Sequence, residues 1–520
     1  MSTLQHERSE LSPAPIALVA RESRSEWLPA WRLLWPYALI LVCAALLAFT
    51  NVANAPAFQN DEGVYTYQAR SIFGGTLAPY SYWYDHPPFG WIQLAAFGWI
   101  PKLFGLGGNA VGSMRYVVSS YLVLNTVLLY ALARRVGLRQ GFALGCAALF
   151  VLSPLSLELG RQVLLDNTAM PWILAAFLLV LSPSRNLLAH VAAGACFALG
   201  VLSKETMGLY GPVLLYLLWR NSHRQTRAFS LLGFLSVGGL LISAYPLMAL
   251  LKGELLPRPG RNTLWDALVF QFVERPGSGF PWQAGSVRNQ LIHGWLLVDG
   301  YLLTAGVVAA VLLLLGARTR WIGLAVGFFL LPLFASQGYL PKMYVVAGLP
   351  FLALAVGAAA NELWSWSAAR PDWWRRPVLT ATGVAMVAAL GSVTVPNWQQ
   401  HDVAALTRPA NNEWVQTVRW ITGNLPRSAV IVVPPSMWQD LRDAGWPNEW
   451  SVIATEKVDL DPLAFARAHP GGSRELDYVV VNQQVKSDAI YLGLTQLDQA
   501  LQGATAVATF GNTQVMRLPR

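Results

Sequence analysis

Apolar runs separated by short polar breaks fill the chain from residue 34 to residue 395. They fall at roughly 34–53, 116–133, 141–157, 167–182, 187–203, 207–219, 229–251, 295–316, 321–336, 343–364 and 377–395. Unbroken apolar stretches of this length suit helices that meet lipid or protein on every side. Several are shorter than the ~20 residues a straight crossing needs, so neighbouring residues or a thinner bilayer must make up the difference. The count predicts about eleven transmembrane helices.

The polar breaks alternate in character. With the N-terminus inside, every even-numbered crossing returns to a basic loop. These carry Arg134-Arg135 and Arg139, then Arg185, then Arg220, Arg224 and Arg227, then Arg318 and Arg320, then Arg370, Arg375 and Arg376. Lysine and arginine in short loops mark the cytoplasmic side, so the N-terminus is predicted inside and the C-terminus outside. The opposite face receives 54–115, 158–166, the neighbourhood of Lys204-Glu205, 252–294, 337–342 and everything beyond about 396. Within 54–115 the segment Leu94–Phe104 is too apolar to lie free in water. Helices in the interface are predicted there and over Trp265–Glu274.

Beyond Asn397 the composition becomes more polar. A helix-like stretch, Asn412–Asn424, precedes a β-like run Ala429–Val433. Further runs follow at Tyr478–Asn482, Ala506–Phe510 and Thr513–Leu518, the last pair joined through Gly511-Asn512. These features predict a small α/β domain. The expected organisation is a cytoplasmic tail over 1–30, an all-α polytopic body over 31–395 with outer loops 54–115 and 252–294, and an extracytoplasmic α/β domain over 396–520. The tail carries Arg21 and Arg24 and has no apolar core with a cleavage site, so it does not read as a cleaved signal.

Composition agrees with a multi-pass protein in a cell (inner) membrane: 54% hydrophobic and 12% charged residues, against about 25% charged in soluble domains. The formal charge of +9 resides in the inner loops and forms no basic stripe with interleaved aromatics, so nucleic acid is not an expected partner. Cys43, Cys146 and Cys196 all lie in apolar runs and read as packing residues, with no disulfide framework or zinc site.

Charged residues outside the basic loops gather on the outer face. Asp61 and Glu62 follow the first apolar run, where a carboxylate can act as general base, bind a divalent cation or begin a helix. Tyr84-Asp85-His86-Pro87-Pro88 is stiffened by its proline pair. Arg161 and Asp166 flank the fourth run, either as an interface ion pair or as functional groups. Lys204-Glu205 sits between two apolar runs, where charges must pair or face a wet cavity. Lys342-Met343-Tyr344 opens the tenth run; its ammonium and phenol could hold a phosphate or simply anchor the interface. Glu274-Arg275 and His293 lie in the second long outer loop. Acidic and basic groups on one membrane face suit an enzyme that handles an anionic lipid headgroup and needs a base. A transporter or flippase of a lipid-linked sugar is the alternative. It would place charges within spans on both leaflets, and Asp299, near the start of the eighth run, is the main residue of that kind. A membrane scaffold with an outer binding domain leaves the charge clustering unexplained.

Asp61-Glu62 followed by His86-Pro87-Pro88-Phe89-Gly90 resembles the protein O-mannosyltransferases and the bacterial aminoarabinose (lipid A) transferases, both of the GT-C superfamily of membrane glycosyltransferases. The resemblance runs on through Arg161…Asp166, Leu202-Ser203-Lys204, Glu274-Arg275 and Lys342-Met343-Tyr344, over roughly residues 30–395. It implies inverting transfer of a sugar from a polyprenyl-phosphate donor to a lipid, glycan or protein acceptor. Asp61 would then be the base or acceptor-orienting carboxylate, with Glu62 beside it and Asp166 as the second acidic group. Arg161, Lys204, Lys342 and Tyr344 would hold the donor phosphate, and Asp85, His86, Glu205, Glu274 and Arg275 would line the substrate site. Asp85-His86 departs from the Glu-Lys pair expected of aminoarabinose transferases and is closer to the mannosyltransferase branch. The relatives imply no required cofactor; if a divalent cation is used, Asp61, Glu62 and Asp166 are its candidate ligands.

Overall fold

The computed structural model describes residues 30–78, 84–259, 262–275, 277–368 and 375–519. The expected tail over 1–30 and Arg370 therefore lie outside the described residues, apart from Ala30. Each apolar run coincides with helix, but not with eleven straight crossings. Among the described residues, four helices are long and apolar enough to span a bilayer: Ala110–Arg135, Arg227–Leu251, Val287–Leu313 and the Lys342–Ser367 segment. Shorter apolar helices include Leu34–Phe49, Gln140–Val151, Leu165–Val180, Leu187–Ser203 and Arg320–Phe334.

Local chemistry accounts for the shortening. The 141–157 run breaks after Val151, where Ser153 leaves the helix and caps a new one, Pro154–Leu159, by accepting from the Ser156 amide. Proline at the first helical position suits such a restart. Two boundaries also move. Val287–Leu313 begins inside the expected outer loop, and Arg375–Thr407 continues past residue 396, so the C-terminal domain starts beyond Thr407.

The helical body is held by close packing. Phe177 meets Trp321, Phe351 and Tyr210 with ring centroids 5.3, 5.0 and 6.1 Å away. Leu187–Ser203 and Arg227–Leu251 approach so closely at Gly194 that an added Cβ would lie 2.4 Å from the Phe234 carbonyl oxygen. Asp299, buried at a kink in Val287–Leu313, accepts from Ser153 Oγ, the Leu302 amide (3.1 Å) and Trp398 Nε1 (3.1 Å). Its charge thus ties three segments together.

Asn60–Phe73, Phe89–Gly98 and Ile100–Leu103 form the first of the two long loops. Trp99, Leu103 and Phe104 are left exposed, as interfacial helices require. In the second loop, Leu264–Val269 continues as a π-turn over Phe270–Glu274 and likewise exposes Trp265, Phe272 and Val273.

The C-terminal domain carries a five-stranded sheet: β1 Ile431–Val433, β2 Val452–Ala454, β3 Tyr478–Val481, β4 Thr505–Phe510 and β5 Thr513–Arg517. The spatial order is β2-β1-β3-β5-β4; β1 runs parallel to β2 and β3, and β5 antiparallel to β3 and β4. The predicted helix Asn412–Asn424 is present, and β2 is the strand the sequence did not suggest. This domain docks on the first outer loop. Gly63 lies against the Pro435–Ser436 backbone, where a Cβ would fall 2.1 Å from the Pro435 carbonyl. Tyr67 packs on Trp438 at 4.0 Å, and Asp440 Oδ1 accepts from the Ala110 amide at 2.8 Å.

Candidate active site

The Asn60–Phe73 helix separates two carboxylates that are adjacent in sequence. Successive helical residues point about 100° apart. Asp61 lines an open cavity of about 860 Å³ bounded by both long loops and the C-terminal domain. Glu62 turns into the protein, where it is fully buried. Its carboxylate receives Arg115 Nε at 2.7 Å and Nη2 at 2.5 Å, the Val163 amide at 2.9 Å and the Gln59 amide at 3.1 Å. Glu62 is thus saturated by structural donors and, unlike Asp61, does not line the cavity.

Burial raises the Asp61 pKa above the ordinary carboxylate value and Asp85 adds to the rise, against Lys204, His86 and Arg275. Four residues along the same helix face, Tyr65 brings its hydroxyl 3.1 Å from His86 Nε2. His86 Nε2 is also 3.0 Å from Lys204 Nζ, and its Nδ1 is 3.2 Å from Glu205 Oε2. An ammonium can only donate. In the neutral imidazole, Nε2 therefore accepts from Lys204 and Nδ1–H donates to Glu205. Burial and Lys204 lower the His86 pKa; Glu205 and Asp85 outweigh them, and the net displacement is upward. Glu205, whose side chain is half exposed, moves the other way: His86 and Lys204 hold it below the usual carboxylate range. The Lys204 ammonium is itself nearly buried and also lies 3.9 Å from Glu205. Asp166, buried in the first turn of Leu165–Val180, stands within electrostatic reach of Lys204, Glu205 and His86.

Of the other expected residues, Asp85, Glu274, Arg275 and Lys342 line the same cavity as Asp61. Lys342 pairs with Glu158 at 2.9 Å. Arg275 lies over the Tyr339 ring at 3.6 Å and donates to Gln271. Two phosphate candidates are displaced. Arg161 is buried away from the cavity and donates to the Thr50 carbonyl at 2.5 Å and the Ala405 carbonyl at 3.3 Å, tying helix ends together. Tyr344 is buried, donates to the Phe329 carbonyl at 2.5 Å and stacks on that ring at 4.8 Å. Among the described residues, no group of three or more His, Cys, Asp or Glu side chains is arranged to hold a metal ion. Glu62, committed to Arg115, leaves Asp61 and Asp166 without their third proposed ligand.

Sequence reasoning missed Tyr65, Glu158 and Tyr339, and the C-terminal domain's share of the wall: Glu456, Lys457, Gln484, Asp488 and Tyr491. Only Tyr65 left a signal, its four-residue spacing from Asp61.

Residues 85–248 match the family described as dolichyl-phosphate-mannose-protein mannosyltransferase. The fold is that of the GT-C membrane glycosyltransferases. The chain is similar to ArnT from Cupriavidus metallidurans, solved bound to undecaprenyl phosphate, with a TM-score of 0.56 and 16% identity over 92% of this chain and 98% of that one. It is also similar to the archaeal oligosaccharyltransferase AglB from Archaeoglobus fulgidus, solved with an inhibitory peptide and a dolichol-phosphate. The TM-score there is 0.55, with 15% identity over 89% of this chain and 71% of that one. No curated protein sequence matches the chain.

Proposed function

We propose that this chain is an integral-membrane glycosyltransferase that moves a sugar, with inversion, from a polyprenyl-phosphate donor to a cell-envelope acceptor. In this reading the membrane is the inner cell membrane, the N-terminus is cytoplasmic, and the site and the C-terminal domain face outward. The observation that carries the proposal is that Asp61 shares one cavity, between the two long loops and the C-terminal domain, with the cations Arg275 and Lys342. Asp61 supplies the carboxylate, and Lys204, Arg275 and His86 all lie within its electrostatic reach.

Asp61 takes the proton of an acceptor hydroxyl as that oxygen attacks the anomeric carbon. The bond from that carbon to the phosphate oxygen breaks on the opposite side, and its electron pair leaves with the polyprenyl phosphate. Lys204, Arg275 and Lys342 balance the growing negative charge, the usual task of fixed cations at a phosphate leaving group. His86 and Glu205 hold the Lys204 ammonium in place. The flippase reading draws on Asp299, whose carboxylate is already occupied by Ser153, Leu302 and Trp398, and nothing else favours it.

The test is release of polyprenyl phosphate by purified protein from a panel of polyprenyl-phosphate sugars, with envelope extract as acceptor and with or without EDTA. Donor-specific release that disappears in Asp61→Asn supports the transferase. Full release in that variant removes Asp61 from the mechanism, and loss with EDTA brings in a divalent cation. Lipid scrambling in vesicles without sugar transfer would favour the flippase.

A further inference from the structure

The C-terminal domain supplies a wall of the cavity, and that wall has a distinct chemistry. Glu456, Lys457, Gln484, Asp488 and Tyr491 come from it, and they face Asn60 and Asp61 across the opening. Over the whole lining, seven carboxylates and six carboxamides stand against three lysine or arginine side chains. A second phosphate or other anion would meet net repulsion there. Planar carboxylate and amide groups instead match ligands rich in hydroxyl donors.

Several polar atoms of this lining have no hydrogen-bond partner among the described residues, although they are buried. They are Asn60 Oδ1, Tyr491 Oη, Gln162 Oε1 and Arg275 Nε. These side chains carry unused hydrogen-bonding capacity beside the cavity, which a small side-chain rotation would turn toward a ligand. These four residues come from four separate parts of the chain and line one cavity. Two aromatic rings accompany them: Tyr339 and Tyr491 lie 6.0 Å apart at 44°. Arg275 covers a face of Tyr339 at 3.6 Å, so the ring surface beside the unpaired polar atoms is that of Tyr491. Asn60 Nδ2 donates to Asp488 Oδ2 at 2.7 Å and so bridges the loop to the domain.

We propose that this wall is the acceptor site and that the acceptor is a neutral, polyhydroxylated glycan. Its sugar C–H faces rest on Tyr491, and its hydroxyls bond to Asp488, Gln484, Asn60 and Gln162. The assignment rests on the transferase reading for its meaning, but the binding it specifies does not need turnover. A phosphorylated acceptor would be repelled by the carboxylates, and a peptide, whose backbone N–H groups also donate, is the competing acceptor in the test.

Saturation-transfer NMR on the full-length protein in detergent tests this. The probes are linear mannan-, arabinan- and galactan-type hexasaccharides, a Ser/Thr-rich peptide of similar length and inorganic phosphate. At least one hexasaccharide is expected to bind. Tyr491→Ala and Gln484→Ala should each weaken it about tenfold, the scale of losing a well-placed hydrogen bond or ring contact. Tyr491→Phe keeps the ring and the fold and should weaken it by less. Binding of the peptide or of phosphate with no hexasaccharide signal would overturn the proposal. So would hexasaccharide binding unchanged in both alanine variants. A protein that binds the hexasaccharide but releases no polyprenyl phosphate from any donor would sink the transferase reading and leave the glycan site standing.

Discussion

Asp61 has the environment of a tuned base. Burial and Asp85 raise its pKa, while the nearby cations keep the rise in check. A base must be deprotonated to act, so transfer should fall as pH drops through that raised value. The acid limb of kcat/KM is expected at a higher pH than the ordinary carboxylate value of 3.8. Asp61→Asn should lower kcat about 10²–10⁴-fold, the usual worth of a positioned base, while donor binding, read by equilibrium dialysis, stays intact. Lys204 is the complementary test. Lys204→Met removes the cation next to His86 and should cut kcat by about 10²-fold or more. Tyr344→Phe, by contrast, should leave kcat within about twofold, since its hydroxyl is spent on the Phe329 carbonyl. Equal losses in the two variants would mean that Tyr344 reaches the donor in a state other than this one.

The Asn60–Phe73 helix explains both what could be read in advance and what could not. Charges on an outer loop were visible as a sequence feature, and Asp61 does line the cavity. The division of labour between Asp61 and Glu62 was not visible, because it depends on which helix face meets Arg115, a residue 53 positions away. Apolar run length revealed where helices form, since long apolar segments leave few alternatives in lipid. It overstated straight crossings wherever a serine–proline restart such as Ser153-Pro154 breaks the run. Strand β2 escaped notice because Val452–Ala454 is three residues long and buried on both faces, so it shows no alternation. The buried Glu62–Arg115 pair anchors the helix, and removing one partner strands the other charge. Glu62→Ala should therefore destabilise the protein by about 3–5 kcal/mol, seen as a lower thermal midpoint in detergent. A small shift would mean that water reaches Arg115.

The C-terminal domain supplies one wall of the cavity and docks on the first long loop, so docking should govern activity. Asp440 is the point of contact with a pH signature. Its Oδ1 accepts from the Ala110 amide, and burial lifts its pKa from 3.8 to about 7. The folded, docked state therefore holds a proton more tightly than the unfolded one, and the sign of the pH effect follows. The stabilisation is complete below 3.8, declines as the pH rises and is lost through about 7. A calorimetric transition of the C-terminal domain should come at a higher temperature near pH ~5 than near pH ~8. Other groups titrate over the same range, so the absolute slope does not isolate Asp440. Asp440→Asn does: the amide stays neutral and keeps an oxygen for the Ala110 amide. That variant should match the wild type at the acid end, exceed it at the alkaline end and show a flatter dependence between them. If wild type and variant slope equally, Asp440 is already solvated and the interface opens there without help. If the variant flattens the curve and also preserves sugar transfer at alkaline pH, domain docking and catalysis are linked through this one carboxyl group.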